Sequence, residues 1–130
     1  MKAKEISPKI LYVVTFYSNP LGVSLSEERK IKLIELAHRY DFYIISDEAY
    51  EFLYYSPDTL CKPMSLLDTT FPNRVISANS FSKTVVPSMR TGWILSRDHN
   101  LLSIFADRFL CNSGGSHSPY ITGLRNFQFL

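Results

Sequence analysis

The residues most suited to chemistry are a lysine, an arginine, an aspartate and several hydroxyls that follow apolar runs. Lys83 closes the segment Ser80–Lys83 (Ser-Phe-Ser-Lys), and Arg90 lies seven residues further on. Asp47 and Tyr50 stand three residues apart. A lysine amine can form an imine with an aldehyde, and a guanidinium with nearby hydroxyls can hold a phosphate. This set therefore suits a bound aldehyde that also carries a phosphate group.

Pyridoxal phosphate is a cofactor with these needs. Its aldehyde takes a lysine, its pyridine nitrogen takes a carboxylate, and its ring oxygen takes hydrogen-bond donors. Lys83 could supply the amine and Asp47 the carboxylate, with Tyr50 projecting from the same strand end. The segment Ser80–Lys83 together with Arg90 could supply the imine and the phosphate contacts at once.

The apolar runs predict strands that alternate with helices. The predicted strands are 10–16, 42–46, 74–78 and 91–95, and the predicted helices are 26–40 and 100–109, with one helical turn near 65–67. The first strand is apolar on both faces, which is typical of a strand inside a parallel sheet. Such alternation predicts an open α/β sheet, in which ligands bind at the carboxyl ends of the strands. Asn19, Asp47 and the Ser80–Lys83 segment each follow a predicted strand at that edge.

The first predicted helix has a recognisable start and an amphipathic pattern. Ser24 with Glu27 three residues later fits a capping box, and acidic residues follow in the first turn. The helical spacing places Ile31 on the apolar face, and Lys30 and His38 on the face toward water. The three histidines show no metal-ligand spacing, and we expect them on the surface and no bound metal.

Four motifs then stand in the order and spacing of a known family. They are Ser18-Asn19-Pro20-Leu21-Gly22, Ser26-Glu27-Glu28-Arg29, Asp47-Glu48-Ala49-Tyr50, and Ser80-Phe81-Ser82-Lys83 with Pro87, Arg90, Gly92 and Trp93. Together they resemble the class I/II aminotransferases of the fold type I pyridoxal-phosphate enzymes. The likeness is greatest to the branch with the aromatic, kynurenine and 2-aminoadipate aminotransferases.

The resemblance implies a role for each matching residue. Lys83 would form the internal aldimine and shuttle the proton at the substrate α-carbon. Asp47 would pair with the pyridinium nitrogen. The remaining cofactor contacts would be Asn19 and Tyr50 at the ring oxygen, and Ser80, Ser82 and Arg90 at the phosphate. The implied reaction is amino-group transfer between an amino acid and a 2-oxo acid, in a family that forms homodimers.

The resemblance also implies how much of the fold is present. Residues 1–130 would be a single partial large domain with a mostly parallel sheet and flanking helices, truncated at both ends. The tail 123–130 diverges from the pattern, and Leu21 replaces the usual threonine of its motif. The family's substrate-carboxylate arginine lies in a small domain that no segment here resembles.

Other functions fit parts of the sequence. Ser80 and Lys83 have the Ser-x-x-Lys spacing of serine β-lactamases and penicillin-binding proteins, but the Ser-Asp-Asn and Lys-Thr-Gly elements of those enzymes are missing. A non-catalytic remnant that binds cofactor or a partner, or the effector domain of a regulator, is a second alternative. Lyase or synthase chemistry on the same cofactor is a third.

Composition sets the remaining bounds. The chain has 130 residues, about one domain, with 45% hydrophobic residues and a net charge of +2. Interspersed charges give no basic patch for nucleic acid, and no apolar run has the length of a membrane span. The two cysteines predict free thiols in a reducing compartment, so we expect a cytoplasmic protein.

Overall fold

The β-branched and aromatic runs form the strands of one sheet. The computed structural model describes residues 7–57, 61–70, 73–89 and 91–113. Its strands are β1 (Ile10–Val14), β2 (Tyr43–Asp47), β3 (Val75–Ser80) and β4 (Gly92–Leu95). They lie side by side in that order; β1, β2 and β3 are parallel, and β4 is antiparallel to β3. The predicted mostly parallel α/β sheet is confirmed.

The helices of the described residues follow the predicted pattern closely. They are α1 (Glu27–Tyr40), α2 (Met64–Leu67) and α3 (His99–Ser113), with a 3₁₀ turn at Pro87–Met89. The predicted helix 26–40 begins within one residue of α1, but its predicted capping residue was wrong by two positions. Ser26, not Ser24, caps α1, because its hydroxyl accepts a hydrogen bond from the backbone N–H of Arg29 at 3.4 Å. The Ser24 hydroxyl instead accepts from the N–H of Tyr17 at 2.9 Å.

The first strand differs from its prediction in burial. Ile10 and Tyr12 are each 60% exposed, although the apolar run predicted a strand covered on both faces. The reason is position: within the described part of the chain, β1 lies at an edge of the sheet and pairs only with β2.

The two faces of the sheet have different surroundings. On the back face, Ile44 of β2 and Val75 of β3 pack with Ile34 and Ala37 of α1 and Met64 of α2. Alternate residues point the other way, so the front face carries Tyr12, Asp47, Ala78 and Ser80. The sheet therefore presents a packed back and an open front.

The prediction that the side chain of Lys30 faces water was wrong. Its side chain is fully buried on α1, where its ammonium donates to the carbonyl of Lys62 at 2.9 Å. The same ammonium lies 3.7 Å from the centre of the Phe16 ring. Burial lowers the pKa of this ammonium, against the raising effect of nearby Cys61 and Glu48. Because Glu27 also accepts from the N–H of Lys62 at 2.8 Å, α1 holds both backbone groups of that residue.

Two other residues of α1 also depart from the pattern. His38 is half-buried and contacts the buried carboxylate of Asp68 at 3.0 Å, so it is not the surface histidine expected. Ile31, expected on the apolar face, is 43% exposed. His99 is exposed as predicted, and His117 lies outside the described residues.

Gly92 is required where β4 meets β3. A Cβ atom at this position would lie 2.5 Å from the backbone carbonyl oxygen of Asn79. Real Cβ atoms do not approach a carbonyl so closely, and backbone cannot move aside as a flexible side chain can. The pairing of Ser80 with Gly92 therefore requires a residue without a side chain at position 92.

We predict that Gly92→Ala lowers the free energy of unfolding. The added methyl group must push β4 away from β3, and overpacking of this kind costs about 1–3 kcal/mol. Urea denaturation followed by circular dichroism measures the loss. Lys32→Ala, at an exposed position of α1, is the control, and equal stability of the two variants would contradict the prediction.

Candidate functional site

The candidate site lies at the edge of the sheet where the three parallel strands end. Asp47 is the last residue of β2 and pairs in register with Ala78 of β3. Ser80 follows two residues later on β3 and so faces the same way as Ala78. A carboxylate and a hydroxyl from neighbouring strands are thereby brought to one face of one edge.

The carboxylate of Asp47 is held by two donors. Its Oδ1 accepts from the backbone N–H of Ala49 at 3.2 Å, and its Oδ2 accepts from the hydroxyl of Tyr12. That hydrogen bond raises the pKa of the Tyr12 phenol, with smaller contributions from burial and from the charge of Asp47. Sequence reasoning missed Tyr12. Alternation along β1 gave its face, but only the strand register brings it to Asp47.

Tyr50 and Lys83 come together from different loops. The ammonium nitrogen of Lys83 lies 5.6 Å from the centre of the Tyr50 ring, within the range of a cation–π contact. Tyr50 sits in a turn after β2, and its carbonyl accepts from the N–H of Leu53 at 3.0 Å. Two residues chosen for their sequence motifs are therefore neighbours in space.

The loop that carries Lys83 is anchored at its base. The ring of Phe81 packs on Trp93 of β4 with centroids 4.7 Å apart. The carbonyl of Phe81 accepts from the N–H groups of Thr84 at 3.2 Å and Val85 at 2.9 Å. Lys83 itself is exposed, so a fixed turn presents a free amine at the site edge.

The two serines of the motif form a local hydrogen-bonded turn. The hydroxyl of Ser80 accepts from the N–H of Ser82 at 3.1 Å and lies 3.4 Å from the carbonyl of Thr91. Both serines are half-buried beside the loop of Lys83. Arg90, the predicted guanidinium, lies outside the described residues.

Asn19 lies in a closed turn after β1. Ser18 pairs with Val23 across this turn, and the N–H of Ser18 donates to the carbonyl of Val23 at 2.9 Å. Gly22 has φ of +67°, a left-handed conformation that glycine adopts without strain. The Asn19–Pro20 peptide bond is cis, and Asn19 is exposed. The turn follows β1 and so lies at the same end of the sheet as Asp47.

The described residues contain no group of three or more His, Cys, Asp or Glu side chains that could hold a metal ion. No helix among them is both long enough and apolar enough to span a bilayer.

Comparison with known proteins gives a consistent family. Residues 2–126 match the family model of aminotransferase class I and II. Aromatic-amino-acid aminotransferase 1 of Thermococcus litoralis is 41% identical over 91 residues, 70% of this chain and 21% of that protein. The mitochondrial kynurenine/alpha-aminoadipate aminotransferase of Bos taurus is 43% identical over 93 residues, 70% of this chain and 21% of that protein.

A solved structure extends the likeness to the fold. The kynurenine aminotransferase of Pyrococcus horikoshii, crystallised with PMP, superposes with a TM-score of 0.69 at 33% identity. The alignment covers 79% of this chain and 24% of that one. The chain thus spans about a fifth to a quarter of the length of the relatives it matches.

The family match argues against a serine β-lactamase or penicillin-binding protein, which the Ser-x-x-Lys spacing had suggested. Ser80 and Lys83 both lie within residues 2–126, which match a different kind of enzyme. The match also covers every strand of the described sheet and the edge where Asp47 and Lys83 lie. The chain therefore belongs to the class I and II aminotransferase family.

Proposed function

We propose that this chain is the cofactor-binding part of a pyridoxal-phosphate-dependent aminotransferase, which moves an amino group between an amino acid and a 2-oxo acid. The observation that carries the proposal is the approach of the Lys83 amine to the Tyr50 ring beside the strand that ends in Asp47. The amine lies 5.6 Å from the centre of the phenol ring, and the carboxylate is at the end of the strand that leads into the turn of Tyr50.

The donor set fits the cofactor. When bound, pyridoxal phosphate supplies a positively charged ring that stabilises negative charge developing at the substrate α-carbon. Asp47 would hold the proton on the ring nitrogen. Tyr12, which already donates to Asp47, would keep that carboxylate oriented. A carboxylate fixed by two donors is suited to this task because it need not reorganise when charge develops.

The remaining residues have complementary tasks. Lys83 would hold the cofactor covalently and later move the proton at the substrate α-carbon, which an exposed amine on a turn can reach. Tyr50 and Asn19 would donate to the ring oxygen. Hydroxyls of Ser80 and Ser82, with the guanidinium of Arg90, would bind the phosphate.

The wider setting is part of the proposal. Relatives named for aromatic amino acids and for kynurenine or aminoadipate support substrates of those classes. A homodimer, a cytoplasmic location and a place in amino-acid biosynthesis stay predictions, and the kynurenine/alpha-aminoadipate aminotransferases of three mammals are named mitochondrial. A single partial large domain over 1–130 is likewise proposed; its tail 123–130 lies outside the described residues.

A second candidate is a non-catalytic remnant that binds cofactor or a partner. Lyase or synthase chemistry would use the same residues, and it differs from transfer only in which substrate bond is oriented against the ring.

We predict that borohydride reduction in the presence of pyridoxal phosphate labels Lys83. Its amine is exposed at the site edge next to Tyr50, so it can react where the other site groups hold the cofactor. Peptide mapping by mass spectrometry locates the label. Lys83→Arg should abolish the main labelled peptide, and Lys62→Arg, at another exposed lysine, should not. Label spread evenly over surface lysines would refute the assignment.

A second prediction is that Asp47→Asn weakens cofactor binding without unfolding the chain. Loss of a hydrogen bond between charged groups removes about 1.5–3 kcal/mol, roughly 10-fold to 150-fold in affinity. Fluorescence titration with pyridoxal phosphate measures the dissociation constant, and far-UV circular dichroism checks the fold. Glu35→Gln, an exposed acid on α1, serves as the control. Equal affinity of wild type and Asp47→Asn would mean that Asp47 has only a structural role.

We also predict that the 130-residue chain alone lacks substantial transamination. Tyr12 on the front face is 60% exposed and Lys83 is exposed, so water reaches the site and weakens its electrostatic contacts. A coupled assay with aromatic, acidic and branched amino acids tests this. Turnover near the enzyme median of about 10 per second would contradict the prediction.

A further inference from the structure

A buried carboxylate stands between the two site residues Asp47 and Tyr50. Glu48 is only 2% exposed and points to the back face, away from the proposed cofactor. A carboxylate taken out of water destabilises a fold by several kcal/mol unless donors satisfy it. Its partners therefore indicate what its position accomplishes.

The side chain of Glu48 joins separate elements of the back face. Its Oε1 accepts from the hydroxyl of Ser46 on β2 at 2.8 Å and from the N–H of Met64 at the start of α2 at 2.9 Å. The Ser46 hydroxyl in turn lies 3.0 Å from the hydroxyl of Thr15, which follows β1. Thr15 and Ser46 are both fully buried, so these bonds are shielded from water.

The backbone of Glu48 is held as well. Its N–H donates to the carbonyl of Ala78 on β3 at 2.8 Å, which extends the β2–β3 ladder beyond Asp47. Its carbonyl accepts from the N–H of Glu51 at 2.9 Å and so closes the turn that contains Tyr50. Asp47, which precedes Glu48, and the turn of Tyr50, which follows it, are therefore both attached to a residue whose backbone N–H and carbonyl are hydrogen-bonded.

Charge alone is not the reason for this arrangement. The buried ammonium of Lys30 is near enough to be influenced by Glu48, but it bonds to the carbonyl of Lys62 and not to the carboxylate. Among the described contacts, the carboxylate of Glu48 is bonded by neutral donors at fixed positions. The surroundings of Glu48 therefore require an acceptor oxygen at this position.

We propose that Glu48 is a positioning residue that acts through Asp47 and Tyr50, holding both toward the cofactor from the opposite face of the sheet. This inference rests on the proposed function. It predicts that an amide can replace the carboxylate, because the oxygen of glutamine still accepts from Ser46 and from the N–H of Met64. It also predicts that, once this acceptor is removed, Asp47→Asn lowers the affinity for pyridoxal phosphate by a smaller factor.

The test is a double-mutant cycle on pyridoxal phosphate affinity, measured by fluorescence titration of the 130-residue chain. Asp47→Asn should weaken binding about 10-fold or more in the wild type, but less than about 3-fold in the Glu48→Ala background. Glu48→Gln should restore the full effect of Asp47→Asn. If Glu48→Ala fails to fold, Ser46→Ala, which removes one donor, takes its place in the cycle.

A matched control separates positioning from stability. Asp68 is also buried, at 1% exposed, and its carboxylate accepts from the N–H of Arg74 at 2.7 Å, near the opposite end of β3. Asp68→Ala should destabilise the fold while the full effect of Asp47→Asn on affinity remains. An undiminished effect of Asp47→Asn in the Glu48→Ala background would overturn the inference, as would a Glu48→Gln variant that behaves like Glu48→Ala.

The same experiment distinguishes the inference from the function on which it rests. If the wild type binds no pyridoxal phosphate and gives no label on Lys83, the proposed function fails and the inference falls with it. If the wild type binds and Asp47→Asn weakens binding, but the cycle is additive, only the role of Glu48 is refuted.

Discussion

The register of β2 against β3 is the constraint on which the site depends. Side chains alternate along a strand, so a slip of one residue would exchange its two faces. With Asp47 opposite Ala78, the carboxylate of Asp47 faces the open front, while its neighbours Ser46 and Glu48 face the packed back. This register therefore determines which of the three consecutive polar residues can face a ligand at the front and which pack at the back.

The back face contains more polar groups than an apolar pattern would suggest. Several of them are hydrogen-bonded at defined points, while the buried hydroxyls of Ser65 and Ser77 have no hydrogen-bond partner among the described residues. Thr15, Ser46 and Glu48 form one chain of hydrogen bonds, and Lys30 holds the carbonyl of Lys62. Buried groups of this kind add little net stability compared with apolar packing, but they permit few alternative arrangements. Where the front of the sheet must present side chains at fixed positions, a back face that permits one arrangement is an advantage.

Much of the fold was predictable from local signals. The runs around Ile44 and Val75 are β-branched and end in polar residues, and the spacing of α1 is helical over its whole length. Those signals placed Asp47, Ser80 and Lys83 at one edge, and the structure has them there. The predicted roles of these residues stay predictions.

The errors arose where tertiary contacts decide the outcome. Lys30 has the spacing of a solvated lysine, and only the approach of the Lys62 carbonyl and the Phe16 ring accounts for its burial. The sequence assigned no role to Tyr12 or Glu48, because each has a partner in another element: Asp47, 35 residues away, for Tyr12, and Met64 of α2 for Glu48. The cap of α1 was misjudged because Ser24 and Ser26 are both plausible acceptors, and Ser24 serves the preceding turn instead.

The division between strands and loops at this end of the sheet agrees with the roles proposed for each group. Asp47 and Ser80 are at strand ends, where the sheet's hydrogen bonds limit their movement. Lys83 is on an exposed turn whose base is anchored by Phe81 on Trp93, so its amine has freedom while its point of attachment does not. A group that only orients a ligand gains from rigidity, since preorganised dipoles need no rearrangement. A lysine that would first bond the cofactor and later carry a proton needs a side chain mobile enough to reach both positions. The placement of Asp47 and Ser80 on strands and of the Lys83 amine on an anchored loop suits both proposed roles.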